Sequence, residues 1–235
     1  MLKSERKHII LEKVIKERIV SIEDLVQELN SSESTVRRDL DELEAENKLR
    51  RIHGGAESLH SLQEEESNKD KAIKNVQEKS AIAKKAAELI KDFEVVFIDA
   101  GTTNELLVHE LANPTVTVVT NSIHHAASLV ERDIPTVIIG GMALNQIGQL
   151  SFDRAFIGMN GVDLESYSTP DLEEGAVKRA ILENAKNTYI LLDSSKLGRT
   201  SFVKVAPVKR ATIITNASDT EILSKLKEKT EVIEV

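Results

Sequence analysis

The sequence predicts an α/β protein in two parts, an N-terminal winged helix-turn-helix and a C-terminal domain built on a mostly parallel sheet covered by helices. Three observations carry this. Short amphipathic segments near the start end in a basic ribbon and a glycine pair, strands and helices alternate from Glu94 onward, and several strands are followed at once by polar or glycine-bearing turns. A length of 235 residues exceeds one small domain, so two cores are expected. The expected organisation is 1–56 as the winged helix-turn-helix, 57–70 as linker and 71–235 as the second domain.

Composition narrows the class. The chain is 40% hydrophobic and 30% charged, which reads as soluble and globular, and no apolar run is long enough to cross a bilayer. The opening "MLKSERKH" lacks the apolar core of a signal peptide, and the absence of cysteine fits a reducing compartment, so a cytoplasmic protein with no membrane partner is expected. His8, His53, His60, His109, His124 and His125 form no metal-ligand spacing with carboxylates, and no metal is expected. A net charge of -8 excludes a protein that coats nucleic acid non-specifically, but it allows a local basic patch.

The first helix is expected over 4–17, capped by Ser4, with Ile10, Val14 and either Leu11 or Ile15 on one face. In "SIEDLVQELN", Ser21 caps a second helix that buries Ile22, Leu25, Val26 and Leu29. After the turn-rich "NSSES", a third helix begins near Glu33 or Ser34. Val36, Leu40 and Leu43 recur at helical spacing and form its buried stripe. Ser34, Arg38, Asp41 and Ala45 then lie opposite, with Thr35 and Arg37 on the flanks. Positive charge therefore gathers at the start of this helix, the end that a helix-turn-helix presents to the major groove.

"KLRRIHGG" adds Lys48, Arg50 and Arg51 on a short ribbon ending in Gly54 and Gly55. Such a wing carries cations to the phosphates beside the groove, and glycine lets it turn. The competing reading is a three-helix bundle with solvated charges. Cations at both expected contact points favour DNA.

"SSESTVRRDLDELEAENKLRRIHGGA" resembles the signature of the DeoR family of bacterial transcriptional regulators. The resemblance implies that Ser34, Thr35, Arg37 and Arg38 contact double-stranded operator DNA, that Arg51 and His53 lie on or near the wing, and that Asp39 is structural.

"ESLHSLQEEESNKD" reads as a connector, followed by one helix running to about Asp92. "EVVFIDAG", "VTVVTN", "PTVIIGG", "RAFIG", "TYILLD" and "ATIITN" read as strands, with helices between them and a last helix from about Thr220 to Glu228. Ligands in such sheets bind beyond the carboxyl ends of strands. There stand Asp99, Gly101, Thr102 and Thr103, with Asn104 opening a helix. Further on come Thr120, Asn121 and Ser122, then Gly140 and Gly141, and lastly Asp193 to Lys196. Glycine admits an anion close to the backbone, threonines donate, and a helix N-terminus supplies N–H groups, a phosphate site that needs no lysine. A tight turn with an N-cap reads equally from "GTTN", and Lys196 reads either as a phosphate partner or as a solvated side chain.

"FIDAGTT", "VVTNS", "IIGG", "FDRAFIGMNGVD" and "LLDSSKLGRTSF" resemble in order the blocks of the DeoR effector domain, so the similarity spans almost the whole chain. It implies a fold similar to ribose-5-phosphate isomerase and a phosphorylated sugar as effector, with no cofactor. It implies ligand contacts from Asp99, Gly101, Thr102, Thr103, Asn121 and Lys196, and from Glu173 or Glu174 and Lys178. The blocks are most similar to repressors of fructose-utilisation operons, which points to fructose 1-phosphate. One departure stands out: the stretches after Gly141 and near Ser166 are shorter than in the family.

The expected function is a repressor of a sugar-utilisation operon, binding its operator as a homodimer or homotetramer because one recognition helix reads few base pairs. An activator with the same effector domain is an alternative. A sugar-phosphate isomerase is the rival from another class, but "GMNGVD" leaves only Asp163 where the isomerases carry an acidic "DGADE"-like block.

Overall fold

The computed structural model describes residues 3–17, 19–46, 48–58, 68–139 and 143–235. It forms two compact units, Met1–Glu64 and Glu65–Val235. The expected end of the first domain at residue 56 falls inside a strand, Gly55–Ser58, and the expected linker already contains the start of a helix at Asn68. The stretch between them, 59–67 with His60, lies outside the described residues, as do Gly140 and Gly141.

The first unit runs α1 (Lys3–Glu17), β1 (Ile19–Ser21), α2 (Ile22–Leu29), α3 (Glu33–Ala45), β2 (Leu49–Ile52) and β3 (Gly55–Ser58). Ser4 does not cap α1, because the helix already begins at Lys3. Acids at the end of α3 hold its first turns instead: Lys3 pairs with Glu42 at 2.6 Å, and Lys7 with Glu46, the residue that follows α3, at 2.5 Å. Asp39, 1% exposed, receives Arg6 Nε at 2.5 Å and Nη2 at 3.2 Å, a two-point contact that locks α1 to α3. Ser21 caps α2 by accepting from Asp24 N at 3.0 Å, and Ser32 caps α3 by accepting from Thr35 N at 3.3 Å. Ile10, Val14, Leu25, Leu29, Val36, Leu40 and Leu43 meet in one core, against which Leu11 and Val26 pack half-buried.

β3 lies between β1 and β2, antiparallel to both. His53 and Gly54 form the turn of the β2–β3 ribbon, with Gly54 at φ 78°. Gly55 serves a different purpose from the turn. A Cβ there would lie 2.1 Å from the Val20 carbonyl oxygen, so only glycine lets β1 pair so closely.

The second unit contains α4 (Asn68–Ile73), α5 (Val76–Glu88), β4 (Val95–Ile98), α6 (Thr102–Glu110), β5 (Thr117–Thr120), α7 (Ile123–Val130), β6 (Thr136–Ile138), α8 (Ala143–Ile147) and β7 (Phe152–Gly158). It continues with β8 (Gly161–Val162), β9 (Ser166–Thr169), α9 (Leu172–Asn184), β10 (Ala185–Leu191), β11 (Val203–Pro207), β12 (Thr212–Thr215), α10 (Glu221–Lys227) and β13 (Val232–Glu234). Among the described residues the main sheet has the order β13-β12-β10-β7-β4-β5-β6, every neighbouring pair parallel. Apolar strands covered on both faces are what a parallel sheet requires. Ile82, Ala83, Leu107 and Leu129 from α5, α6 and α7 build one core, and Ile147, Ile181 and Leu226 from α8, α9 and α10 join the other.

The chain winds outward from β4 to β6 and then returns to the other side of β4 with β7, so the winding reverses between these two strands. That is the place where ligands enter such sheets. Two features were not legible beforehand. The expected helix to Asp92 is broken at Asn75, which adopts φ 52° and donates its amide to Asp193 Oδ1 at 3.0 Å. A second sheet, antiparallel with order β11-β9-β8, caps part of the unit.

Replacing Gly55 by alanine should force β1 away from β3 and cost about 1–3 kcal/mol in chemical denaturation of the first unit. A second expectation concerns His125 on α7, 4% exposed. Burial first, then His124 and His109, depress its imidazole from 6.5 to about 4. Its folded form therefore stays neutral while the unfolded form protonates near pH 6.5, so its contribution is complete above that pH and is lost as pH falls toward 4. Urea titrations of the wild type at pH 7 and 4.5 should differ by more than those of His125→Phe, the excess being on the order of 2 kcal/mol.

Candidate functional site

The start of α3 gathers polar groups because Ser32 has to cap it. Ser32 Oγ lies 3.0 Å from Ser34 Oγ and 2.9 Å from Thr35 Oγ1, so both expected contact hydroxyls belong to one cap cluster. Arg37 is held by Glu33 one turn back at 2.5 Å. Arg38 is exposed and makes no ion pair among the described residues, on the face opposite Val36, Leu40 and Leu43. In a chain of net charge -8, that cation projects from the helix with no described carboxylate paired to it.

On the ribbon, His53 stands exposed at the turn and Arg50 pairs across to Glu57 at 3.2 Å. Arg51 is half-buried and turned toward α3, where it pairs with Asp41 and donates to the Arg37 carbonyl at 3.3 Å. It acts as a brace between ribbon and helix. Its backbone N–H, donating to Glu44 at 2.7 Å, makes the same connection.

The second unit holds a cavity of about 490 Å3 at the carboxyl ends of β4, β7 and β10. Gly101, with φ 146°, precedes α6, and no side chain caps that helix. Its first turn, Thr102 and Thr103, faces the cavity, as do Lys178 of α9 and Lys196 from the turn after β10. A helix N-terminus attracts anions through its aligned peptide dipoles. Lys71, Lys74, Lys79 and Arg199 also line the space, against the two carboxylates Glu174 and Asp193. The net field favours an anion although the chain carries -8.

Beneath the cavity lies the pair that fixes its shape. Lys178, 2% exposed, donates to Asp99 Oδ2 at 2.5 Å and to the Gly158 carbonyl at 2.8 Å. Asp99 also accepts from Gly158 N at 3.2 Å and from Asn121 Nδ2 at 3.0 Å. Asn121 Oδ1 in turn accepts from Ala100 N at 2.7 Å. Burial by itself would lower the Lys178 ammonium, yet Asp99 and Glu174 beside it raise it above its ordinary value. Burial, and then the like charge of Glu174, push the Asp99 carboxyl above its ordinary value, while the Lys178 ammonium and the donors Asn121 Nδ2 and Gly158 N oppose that rise and suit the carboxylate form. Burial also works against Glu174, but Lys178 at 3.1 Å and Thr169 at 2.6 Å keep it below the usual range.

The expected ligand residues thus separate into layers. Gly101, Thr102, Thr103, Lys178 and Lys196 line the cavity, whereas Asp99 and Asn121 sit behind it and hold the loop and Lys178 in place. Of the two glutamates left open, Glu174 faces the cavity and Glu173 is exposed outside it, one residue along the helix. Thr120 and Ser122 serve the start of α7, Ser122 Oγ accepting from His125 N at 3.3 Å. Sequence reasoning missed Lys71, Lys74, Asn75, Lys79, Asn160 and Arg199. The lysine-rich "NKDKAIKNVQEK" was the available signal, and it reads as a solvated helix until the break at Asn75 is known.

A three-helix unit with a ribbon beside its third helix, together with an α/β unit that encloses a cationic cavity, defines a DNA-binding protein with a ligand-sensing domain. Family comparison agrees: residues 6–62 match the DeoR-like helix-turn-helix domain and residues 74–217 the DeoR C terminal sensor domain. The chain belongs to the DeoR family of transcriptional regulators. It is 36% identical over 246 aligned residues to the uncharacterized HTH-type transcriptional regulator FruR of Bacillus subtilis (strain 168), covering 99% of this chain and 98% of that protein. It is 34% identical to the lactose phosphotransferase system repressor of Staphylococcus aureus (strain NCTC 8325 / PS 47), with 100% of both covered. That alignment runs to 251 positions against 235 residues here, so the relative carries residues that this chain lacks. Among solved structures, ribose 5-phosphate isomerase A of Methanocaldococcus jannaschii aligns with 56% of this chain and 55% of its own at 25% identity and a TM-score of 0.42.

Removing Lys178 strands the Asp99 carboxylate in the interior. Lys178→Met should lower the unfolding free energy by about 3–5 kcal/mol, and Lys178→Met combined with Asp99→Asn should recover part of it. Chemical denaturation of the two variants tests this, and equal losses in both would show that the pair is not what holds β4 to β7.

Proposed function

We propose that this chain is a repressor of a sugar-utilisation operon whose affinity for DNA is controlled by a phosphorylated sugar held in the second unit. The observation that carries the reading is the cationic cavity at the reversal between β4 and β7, built around the uncapped start of α6 with lysines converging on it. A phosphate provides the charge this field favours, and the remaining space accommodates a sugar. The names of the two relatives, one a phosphotransferase-system repressor, support a sugar-linked role.

In this reading Arg38 reads DNA, Arg37 and Arg51 join it by exchanging their carboxylate partners for phosphates, and His53 reaches the flanking backbone. Ser34 and Thr35 contact phosphate from the cap cluster. Two copies or four bind paired half-sites in the cytoplasm, and the sugar phosphate acts by preferring an arrangement in which the half-site spacing no longer fits. Fructose 1-phosphate is the first effector to try. Gly101, Thr102, Thr103, Lys178 and Lys196 contact it directly, with Glu174 on the sugar side.

The isomerase reading depends on Asp163, and Asp163 is committed elsewhere. Its Oδ1 accepts from Glu165 N at 2.8 Å and from Ser166 N at 2.7 Å, closing the turn between β8 and β9. It is not among the groups that line the cavity. An activator remains distinguishable by where the operator lies relative to the promoter.

The test is fluorescence anisotropy on the DNA upstream of the protein's own gene, with a scrambled duplex as control, titrated with fructose 1-phosphate and other sugar phosphates. Specific binding released by one of them supports the reading; specific binding that none of them alters removes the sensor half. Arg38→Ala should weaken operator binding by about 10- to 100-fold and relax specificity at one base position. Unchanged operator affinity in that variant would defeat the assignment of Arg38.

A further inference from the structure

The floor of the cavity in the second unit holds a polar side chain that the Asp99–Lys178 network leaves out. Asn104, on the first turn of α6, is 1% exposed and lines the cavity beside Thr103 and Gly158. Neither its Nδ2 nor its Oδ1 has a hydrogen-bond partner among the described residues. The nearby groups are already engaged: Asp99 takes Lys178, Asn121 and Gly158 N, and the Gly158 carbonyl takes Lys178. A Cβ built on Gly158 would lie 3.8 Å from Asn104 Nδ2 and 3.9 Å from Asp99 Oδ2, which places the amide beside the ion pair, at the bottom of the site.

A buried amide without partners is unfavourable, and native structures keep few of them. This one is neutral, so it adds little to the pull on an anion, and its chemistry indicates what it would take. An amide offers donors at nitrogen and an acceptor at oxygen. A phosphate dianion presents acceptors alone and would leave Oδ1 unmatched. A hydroxyl group both donates and accepts, and matches the two halves. The terminal torsion of asparagine has a broad, shallow profile, so the amide can turn toward a seated ligand at small cost.

Resting on the reading that this cavity takes a sugar phosphate, we infer that Asn104 is the residue that reads the sugar, exchanging hydrogen bonds with a hydroxyl close to the phosphorylated end. Thr102 and Thr103 hold the phosphate at the helix terminus. Asn104, one residue further into the helix, then separates a polyol phosphate from bare phosphate. No described protein group partners the Asn104 amide, so a seated ligand supplies both of its hydrogen bonds, and binding stabilises this end of the sheet by mass action.

Isothermal titration of the full chain with inorganic phosphate, fructose 1-phosphate and a panel of hexose phosphates tests this, in the wild type, Asn104→Leu and Asn104→Ala. The leucine keeps the volume without the amide, and the alanine guards against a misfit of the leucine. Both variants should lose about 10- to 100-fold in affinity for the sugar phosphate that the wild type prefers. Their affinity for inorganic phosphate should stay within about twofold, and the ligand-free Tm of Asn104→Leu should be no lower than that of the wild type. Sugar-phosphate binding as tight as wild type in either variant would overturn the role of Asn104 and leave the sensor reading standing. Equal losses for sugar phosphate and inorganic phosphate would also overturn it, assigning Asn104 to the shape of the helix terminus. A wild type that binds none of these compounds defeats the sensor reading itself, and the inference with it.

Discussion

The buried pair between Lys178 and Asp99 is the contact on which the second unit depends. It ties α9 to the end of β4, and through Gly158 it ties both to the end of β7. These are the two strands between which the winding reverses, the place where such sheets open a crevice. A sheet that opens at that point needs something to set the spacing of its loops. A charge pair does this well because its geometry is restricted and its loss is costly. Asn121 extends the same network to Ala100, so the loop that leads into α6 is held from below while its upper side faces the cavity.

Charge is distributed unevenly for a related reason. The chain carries -8 overall, but both surfaces assigned to anions are locally cationic. In the first unit this is achieved by consuming acids. Asp39 and Glu42 of α3, and Glu46 just after it, are taken up by Arg6, Lys3 and Lys7 of α1, which leaves the start of α3 and its Arg38 with the positive field. The bonds that hold the bundle together are therefore the same ones that uncover its basic end. In the second unit the lysines come from distant stretches of chain and converge only when the sheet forms.

The sequence by itself determined the periodic features. Val36, Leu40 and Leu43 on one face of α3 could be read directly, because helical spacing and burial are two views of one constraint. The parallel sheet could be read from its apolar strands and intervening helices, and the polar turn after β4 from the rule that such turns carry ligands. What only the tertiary structure decided concerns partners far apart in the chain. Asp99, just before a glycine-threonine turn, and Asn121, at the end of the next strand, look like ligand contacts, and folding places them behind the site. Asn75 breaks a helix that local propensity would continue, because its amide finds Asp193, a residue 118 positions away. Glu173 and Glu174 are indistinguishable in sequence, and a rotation of one residue about α9 turns only the second toward the cavity. Local pattern records what each segment buries. It carries no record of which distant group will meet the side chains left over, and that meeting is what makes the site.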